Sequence, residues 1–232
     1  MNYTKANQCL TQDDEDDLEQ ASDCFEPKGL TGAVYSVLHD MVCILAVVVL
    51  VFVFIVRPVG VSGCSMYPTL VGVELSAGTQ GDFLLLRSNF LCTSYHPGDI
   101  VVASVPSFQD GELIVKRVVA VGGQTVRFQE DADGYYHVYV DDVLQCETHI
   151  NEPMRAKGCM TDGYTDTVPE GCYFLMGDNR NNSADSRYSD IGMVDGRNIV
   201  GKAMLLVIPG QDAQQGGIRS WNRIGIIEDG DD

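Results

Sequence analysis

The amino-acid sequence predicts a mostly β protein, with antiparallel sheets forming an open-barrel-like domain behind one N-terminal transmembrane helix. Three observations carry that expectation. Residues 41 to 56 read MVCILAVVVLVFVFIV, sixteen residues without a polar interruption. From about residue 81 onward, short apolar runs rich in Val, Ile, Tyr and Phe alternate with Gly, Asp, Pro and Asn, the pattern of strands and turns. Between those runs no helix-length amphipathic stretch appears, which argues against a parallel α/β sheet and for antiparallel pairing.

Residues 1–33 hold eight acids (Asp13, Asp14, Glu15, Asp16, Asp17, Glu19, Asp23, Glu26) against Lys5 and Lys28, a net −6. With few large apolar residues and no periodic stripe, this segment reads as a disordered, solvated tail. The sixteen apolar residues that follow rise only about 24 Å as a helix, short of a bilayer core of about 30 Å. Extending back to Val34 gives 23 residues and about 35 Å. Ser36, His39 and Asp40 then lie within two turns of the interface, and Arg57-Pro58 is expected to stop the helix at the other surface. A buried soluble helix is the plain alternative, but so long an unbroken apolar run beside an acidic tail argues against it. A cleavable secretory signal should start with a short basic region, which is absent here. Val61-Ser62-Gly63-Cys64 has the look of a lipoprotein cleavage box, yet Arg57-Pro58 separates it from the apolar run. Residues 34–56 are therefore expected to be a permanent anchor. Its orientation does not follow from charge, since Lys28 and Arg57 balance each other.

The expected domain spans 57–227, with strands at DFLLLRS, GDIVVASV, ELIVKRVVAVGG, TVRF, YYHVYV, CYFLMGDN and NIVGKAMLLVI. Asp133-Gly134, between TVRF and YYHVYV, signals a tight hairpin. Residues 129–167 are polar and turn-rich and are expected to form a secondary lobe or elaborated hairpin; 228–232 is a short acidic tail. The whole chain of 232 residues carries a net charge of −18, which makes nucleic acid an improbable partner because phosphate binding needs a basic surface. Its eight cysteines are scattered and form no C-x-x-C pair, so neither a disulfide scaffold nor a metal site is expected.

Chemistry-bearing residues begin at Ser65, about eight residues beyond the anchor, in Ser62-Gly63-Cys64-Ser65-Met66-Tyr67-Pro68-Thr69-Leu70. Gly63 permits unusual backbone angles and Pro68 fixes the exit of the turn. A serine on such a turn can present its hydroxyl and its own amide to the same space, as an oxyanion site requires. Taken alone, it is an ordinary turn residue. The four histidines (His39, His96, His137, His149) show no triad signature and read as structural or solvated. Lys116 is the stronger base, inside Leu113-Ile114-Val115-Lys116-Arg117-Val118-Val119-Ala120-Val121, a run apolar enough to be buried on both faces. Alternation puts Lys116 with Ile114 and Val118, and Arg117 on the other face. Desolvation should lower the lysine pKa from about 10.4 to about 7–8, roughly 3–5 kcal/mol of differential stabilisation. The competing reading is a lysine reaching solvent at a sheet edge, with Arg117 paired to a carboxylate. A third stretch, Met176 to Tyr188, is dense in donors and acceptors. Such a loop can simply satisfy itself. Alternatively Ser183 or Ser186 orients the lysine amine while Asp185 and Arg187 pair to lock the loop.

SGCSMYPTL, GDIVV, KRVVAVGG and GDNRNNSADSR, with VPEGCYFLMGDNR, occur in the order and approximate spacing of the bacterial type I signal peptidases, which the chain resembles from the anchor to about Val207. The resemblance implies a Ser-Lys dyad with Ser65 as nucleophile and Lys116 as general base. It matches Ser183 to the lysine-orienting serine, Asp185 and Arg187 to a structural pair, and Met66 and Pro68 to positions shaping the nucleophile turn. It implies no cofactor and a mostly β fold. Its substrates would be secretory preproteins emerging from the translocation machinery, cleaved after small residues at −1 and −3. It also implies an anchor in the cytoplasmic membrane with the tail inside and the catalytic domain outside. Some members carry a serine two positions before the nucleophile; here that position is Gly63, with Ser62 one further back, so the Ser65 amide is the firmer oxyanion donor. In that orientation Cys64, Cys92, Cys146, Cys159 and Cys172 are external, and their pairing does not follow from sequence. Alternatives are a peptidase for pilin-like or other selected precursors, a catalytically silent membrane-tethered binding module, and a self-cleaving repressor-type Ser-Lys protein, against which the anchor argues.

Overall fold

The structure is a computed structural model that describes residues 29–73, 78–89, 94–108, 111–158 and 160–227. The expectations for tail residues 1–28 and 228–232, and for Cys92 and Cys159, lie outside the described residues. The chain divides into an N-terminal unit ending at Leu50 and a C-terminal unit from Val51.

Helix α1 (Leu30–Phe54) begins earlier and ends sooner than the expected 34–56. Gly29, at φ 103°, precedes it and accepts from the Gly32 and Ala33 N–H groups. Its side chains from Val34 to Leu50 are exposed, Ile44 by 65%. Residues Thr31–Phe52 are long and apolar enough to cross a membrane. A helix of this length rises about 37 Å.

The expected helix stop at Arg57-Pro58 is corrected by the structure. Both residues lie in strand β1 (Val56–Gly60), because Val56 leaves the helix to pair with Arg87 of β2 (Phe83–Ser88). Proline is tolerated there because β1 pairs on one side only. Six further strands complete this sheet: β3 (Ile100–Ser104), β4 (Leu113–Val121), β9 (Cys172–Met176), β10 (Val194–Asp195), β11 (Ile199–Ile208) and β14 (Gly225–Ile226), while β12 (Gln211–Asp212) and β13 (Ile218–Arg219) pair as a separate ribbon. The order is β1-β2-β11-β3-β4-β9-β10, with β14 beside the far half of β11, and every pairing is antiparallel. The sheet stays open, and no closed barrel forms among the described strands. Apolar side chains cover both faces. Met66, Leu70, Leu84, Leu86 and Ile100 fill one, and Val101, Ile114, Val118, Leu175 and Ile199 the other. That explains why β3 and β4 read as unbroken apolar runs.

A second antiparallel sheet, in the order β7 (Val143–Leu144), β6 (Tyr136–Val140), β5 (Thr125–Glu130), β8 (Thr165–Thr167), occupies the polar stretch. It carries its own apolar layer. Val126, Phe128 and Val138 pack on Met154, Met160 and Phe174. The Asp133-Gly134 hairpin is longer than a two-residue turn. Asp131 accepts from the Asp133 and Tyr135 N–H groups, and Gly134 takes φ 83°. A tighter turn sits at Asp141-Asp142, both with positive φ (50° and 63°), joining the paired Val140 and Val143. This is the primed hairpin geometry, and aspartate is among the few non-glycine residues that enter it readily.

Candidate active site

The chain leaves β1 through Val61 and Ser62, which bridges to Val73, and reverses at Gly63, whose φ of 81° disfavours any side chain. Gly72 crosses so closely that a Cβ there would meet the Gly63 carbonyl oxygen at 1.7 Å. Asp82 clamps the returning limb. Its carboxylate accepts from the Val71 N–H at 2.8 Å, the Gly210 N–H at 2.5 Å and Arg223 Nη2 at 2.7 Å. Arg223 also donates to the Thr69 carbonyl at 2.9 Å. Met66 and Leu70 plug the turn into the core, each 1% exposed, and Pro68 follows a cis peptide bond. The turn therefore hangs on buried contacts either side of Ser65.

Lys116 comes from β4. Its Nζ forms a hydrogen bond with Ser65 Oγ at 2.8 Å and donates to the Val115 carbonyl at 2.9 Å. Strand register explains how an inward lysine reaches the serine. Val118 directs its N–H to Asp99 and its carbonyl to Gly98, toward β3. Alternation along the strand turns the backbone groups of Leu113, Val115 and Arg117 the other way. There β9 pairs with β4 only from Arg117 onward. Leu113 and Val115 thus face an edge that has no partner strand among the described residues, and the Lys116 side chain curls over it to Ser65. The residue is 3% exposed. Burial lowers its pKa from 10.5 to about 8, while the Asp185 and Asp178 carboxylates pull it back up and Arg187 presses it down. The solvent-reaching alternative for Lys116 is excluded by this burial. Its companion expectation, an Arg117–carboxylate pair, is met on the opposite face. Arg117 grips Asp178 through two hydrogen bonds of 2.9 and 2.7 Å, and Thr69 Oγ1 donates to the same carboxylate at 2.6 Å.

The polar loop after β9 backs the pair. Arg187, fully buried, binds both oxygens of Asp185 at 2.7 Å and donates to the Arg180 carbonyl at 2.8 Å. Burial pushes the Asp185 carboxyl up, but the Arg187 guanidinium and the Gly177 N–H outweigh it and hold the carboxyl below its ordinary value. Ser183 is buried beside this carboxylate and helps to hold its pKa down, yet its Oγ meets no partner at full hydrogen-bond geometry among the described residues. Lys116 takes the Val115 carbonyl instead. Ser186 does not serve the lysine, since its hydroxyl accepts from the Leu175 N–H at 2.9 Å. Ser62 remains exposed, and among the described residues no hydrogen bond joins its hydroxyl to Ser65 or Lys116.

Two contributors are invisible to sequence patterning. Gly177 is wedged so tightly that a Cβ would stand 2.4 Å from the Ser65 carbonyl oxygen and 2.3 Å from Ser183 Oγ. Asn179 donates through its backbone N–H to the Ser65 carbonyl and through Nδ2 to the Cys64 carbonyl, each at 3.0 Å. Only the density of polar residues around them hinted at either. None of His39, His96, His137 or His149 bonds to Ser65; His149 lies 3.7 Å from Asp178. Cys64, Cys146 and Cys172 are free thiols. Among the described residues no cluster of His, Cys, Asp or Glu is arranged to hold a metal ion.

A serine on a fixed turn, bonded to a lysine whose pKa burial lowers to about 8, is the equipment of a serine hydrolase, and comparison with known proteins gives that class. The family described as signal peptidase, peptidase S26 matches residues 34–208. A protein named signal peptidase I from Pseudomonas aeruginosa is 30% identical over 225 residues, covering 79% of this chain and 76% of the relative. A probable signal peptidase I-1 from Synechocystis is 33% identical over 178 residues, covering 73% and 79%. A solved signal peptidase I from Enterococcus faecalis is 28% identical over 47% of this chain and 96% of its own, with a TM-score of 0.37. The chain belongs to the signal peptidase S26 family, and is a serine endopeptidase.

Proposed function

We propose that the protein removes N-terminal signal peptides from secretory preproteins at a membrane surface, with Ser65 as nucleophile and Lys116 as general base. The reading rests on the 2.8 Å Ser65–Lys116 contact, made by an amine that burial brings to about 8. In its neutral form Lys116 takes the Ser65 hydroxyl proton as Oγ attacks the scissile carbonyl carbon. The oxyanion so formed is met by the Ser65 N–H. On collapse the C–N bond breaks and the Lys116 ammonium gives its proton to the leaving amine. A water then enters, Lys116 deprotonates it, and attack on the acyl ester releases the signal peptide and returns a proton to Ser65. The Asp185–Arg187 pair locks the loop behind the amine, with Ser183 packed beside that carboxylate. The extended substrate adds to the open edge offered by Leu113 and Val115, pairing backbone to backbone, and small residues at −1 and −3 fit shallow pockets beside that edge. Residues 30–54 anchor the protein in the bilayer, with the acidic tail inside and the domain outside.

The test is cleavage of a precursor bearing an Ala-x-Ala site by the purified full chain in lipid vesicles, beside Ser65→Ala and Lys116→Ala. Both variants should lose activity and keep their thermal transition. Residual cleavage near the parental rate by either removes that residue from its role.

A further inference from the structure

We propose that Asn179 is a positioning residue for the oxyanion site, holding the Cys64–Ser65 peptide so that the Ser65 N–H stays turned outward. The proposal rests on the Ser65–Lys116 reading above and adds a residue that reading leaves unused.

A trans peptide points its carbonyl and the following N–H in opposite directions. The bond between Cys64 and Ser65 is trans, the described cis bond being Tyr67–Pro68. Whatever fixes the Cys64 oxygen therefore fixes the direction of the Ser65 N–H. Two donors hold that oxygen: Asn179 Nδ2 at 3.0 Å and the Tyr67 N–H at 3.1 Å. The second is local and belongs to the turn. The first comes from a residue 115 positions away. Because the acceptor is a carbonyl, the side-chain group facing it must be the NH₂ and not the amide oxygen. The Ser65 N–H itself donates to no other described residue.

The Asn179 side chain has an alternative that it does not take. The residue caps the short 3-10 helix Arg180–Asn182, yet makes no side-chain capping bond there, although asparagine favours that use. Instead it is 7% exposed and spans to the nucleophile turn, while its backbone N–H holds the next carbonyl, that of Ser65, at 3.0 Å. One residue thus fixes the peptides on both sides of the nucleophile. Without the Nδ2 donor, the Cys64 oxygen keeps only the Tyr67 N–H of its own turn, and the Cys64–Ser65 peptide is less firmly held against rotation about its flanking torsions.

An oxyanion donor acts on the transition state more than on bound substrate. Asn179→Ala and Asn179→Asp, in the full chain in vesicles, should therefore lower kcat about 10- to 100-fold, somewhat less than outright removal of such a donor. KM should move less than about twofold, and in Asn179→Ala the midpoint of the rising pH–rate limb should stay in place, because no charge is added beside Lys116; the new carboxylate of Asn179→Asp should raise it, as Asp178 and Asp185 do. A peptide aldehyde adds Ser65 Oγ to its carbonyl carbon and passes the hydroxyl proton to Lys116, leaving an alkoxide. Its affinity should fall by the same factor as kcat/KM, while affinity for the cleaved signal peptide stays constant. Unchanged aldehyde affinity, or a loss carried by KM, overturns the proposal. Should both variants unfold, the parent still decides. The Asn179 side-chain amide protons should exchange with water far more slowly than those of an exposed asparagine, and free exchange overturns the assignment. Loss of cleavage in the parent, or cleavage by Ser65→Ala, instead defeats the proposed function.

Discussion

Lys116 carries a cost to the fold. The unfolded chain keeps this ammonium protonated up to about 10.5, whereas the folded chain releases the proton near 8. Between those values the unfolded state binds more protons, so this group makes stability rise with pH; below 8 both states are charged and the penalty is constant, about 3 kcal/mol. Two outcomes follow at the level of this residue. The rate of precursor cleavage, as kcat/KM, should climb with pH to a midpoint near 8 as the neutral amine appears. Lys116→Met should be inactive yet more resistant to denaturant than the parent at pH 7, by up to about 3 kcal/mol, with the advantage shrinking as pH passes from 8 toward 10. Denaturation curves at pH 7 and 9.5 check this. An advantage that stays constant across that range would mean the lysine is not desolvated.

At the scale of elements, the site is the gap left where β9 fails to accompany β4 along its whole length. Alternation in the sequence put Lys116 opposite Arg117 and among aliphatic neighbours, and the structure agrees. What alternation could not supply is the partner strand that stops short, since strand pairing depends on residues some sixty positions away, such as the Arg117–Met176 match. For the same reason nothing in the sequence set Gly177 apart from the polar loop it opens. Its real constraint is the Ser65 carbonyl and the Ser183 side chain pressed against its Cα. Gly177→Ala should therefore displace the Ser65 turn or the loop after β9. A loss of tenfold or more in kcat is expected, with a fall in melting temperature matching roughly 1–3 kcal/mol of overpacking. Parental activity would mean the turn yields without cost. The long strands from β2 to β11 were legible because periodicity and turn residues are local signals. Strand β1 was not, because its first residue continues the apolar run of the helix. The Asp141-Asp142 turn was missed because aspartate pairs lack the glycine that usually marks a primed hairpin.

For the whole molecule, the acidic balance and the apolar helix make opposite demands on a membrane. A net charge of −18 repels an anionic lipid surface, so electrostatic adhesion cannot hold this protein at a bilayer. What remains is α1, with exposed aliphatic and aromatic side chains along Thr31–Phe52. Withdrawing such a segment into water costs far more than screening any surface contact, at about 25 cal/mol per Å² of apolar area. The protein should accordingly stay with membranes through high salt and alkaline carbonate and leave only with detergent. Protease added to sealed, right-side-out cells should digest the domain and spare residues 1–28. Release by salt alone would make α1 something other than an anchor, and digestion of the acidic tail from outside would reverse the proposed orientation.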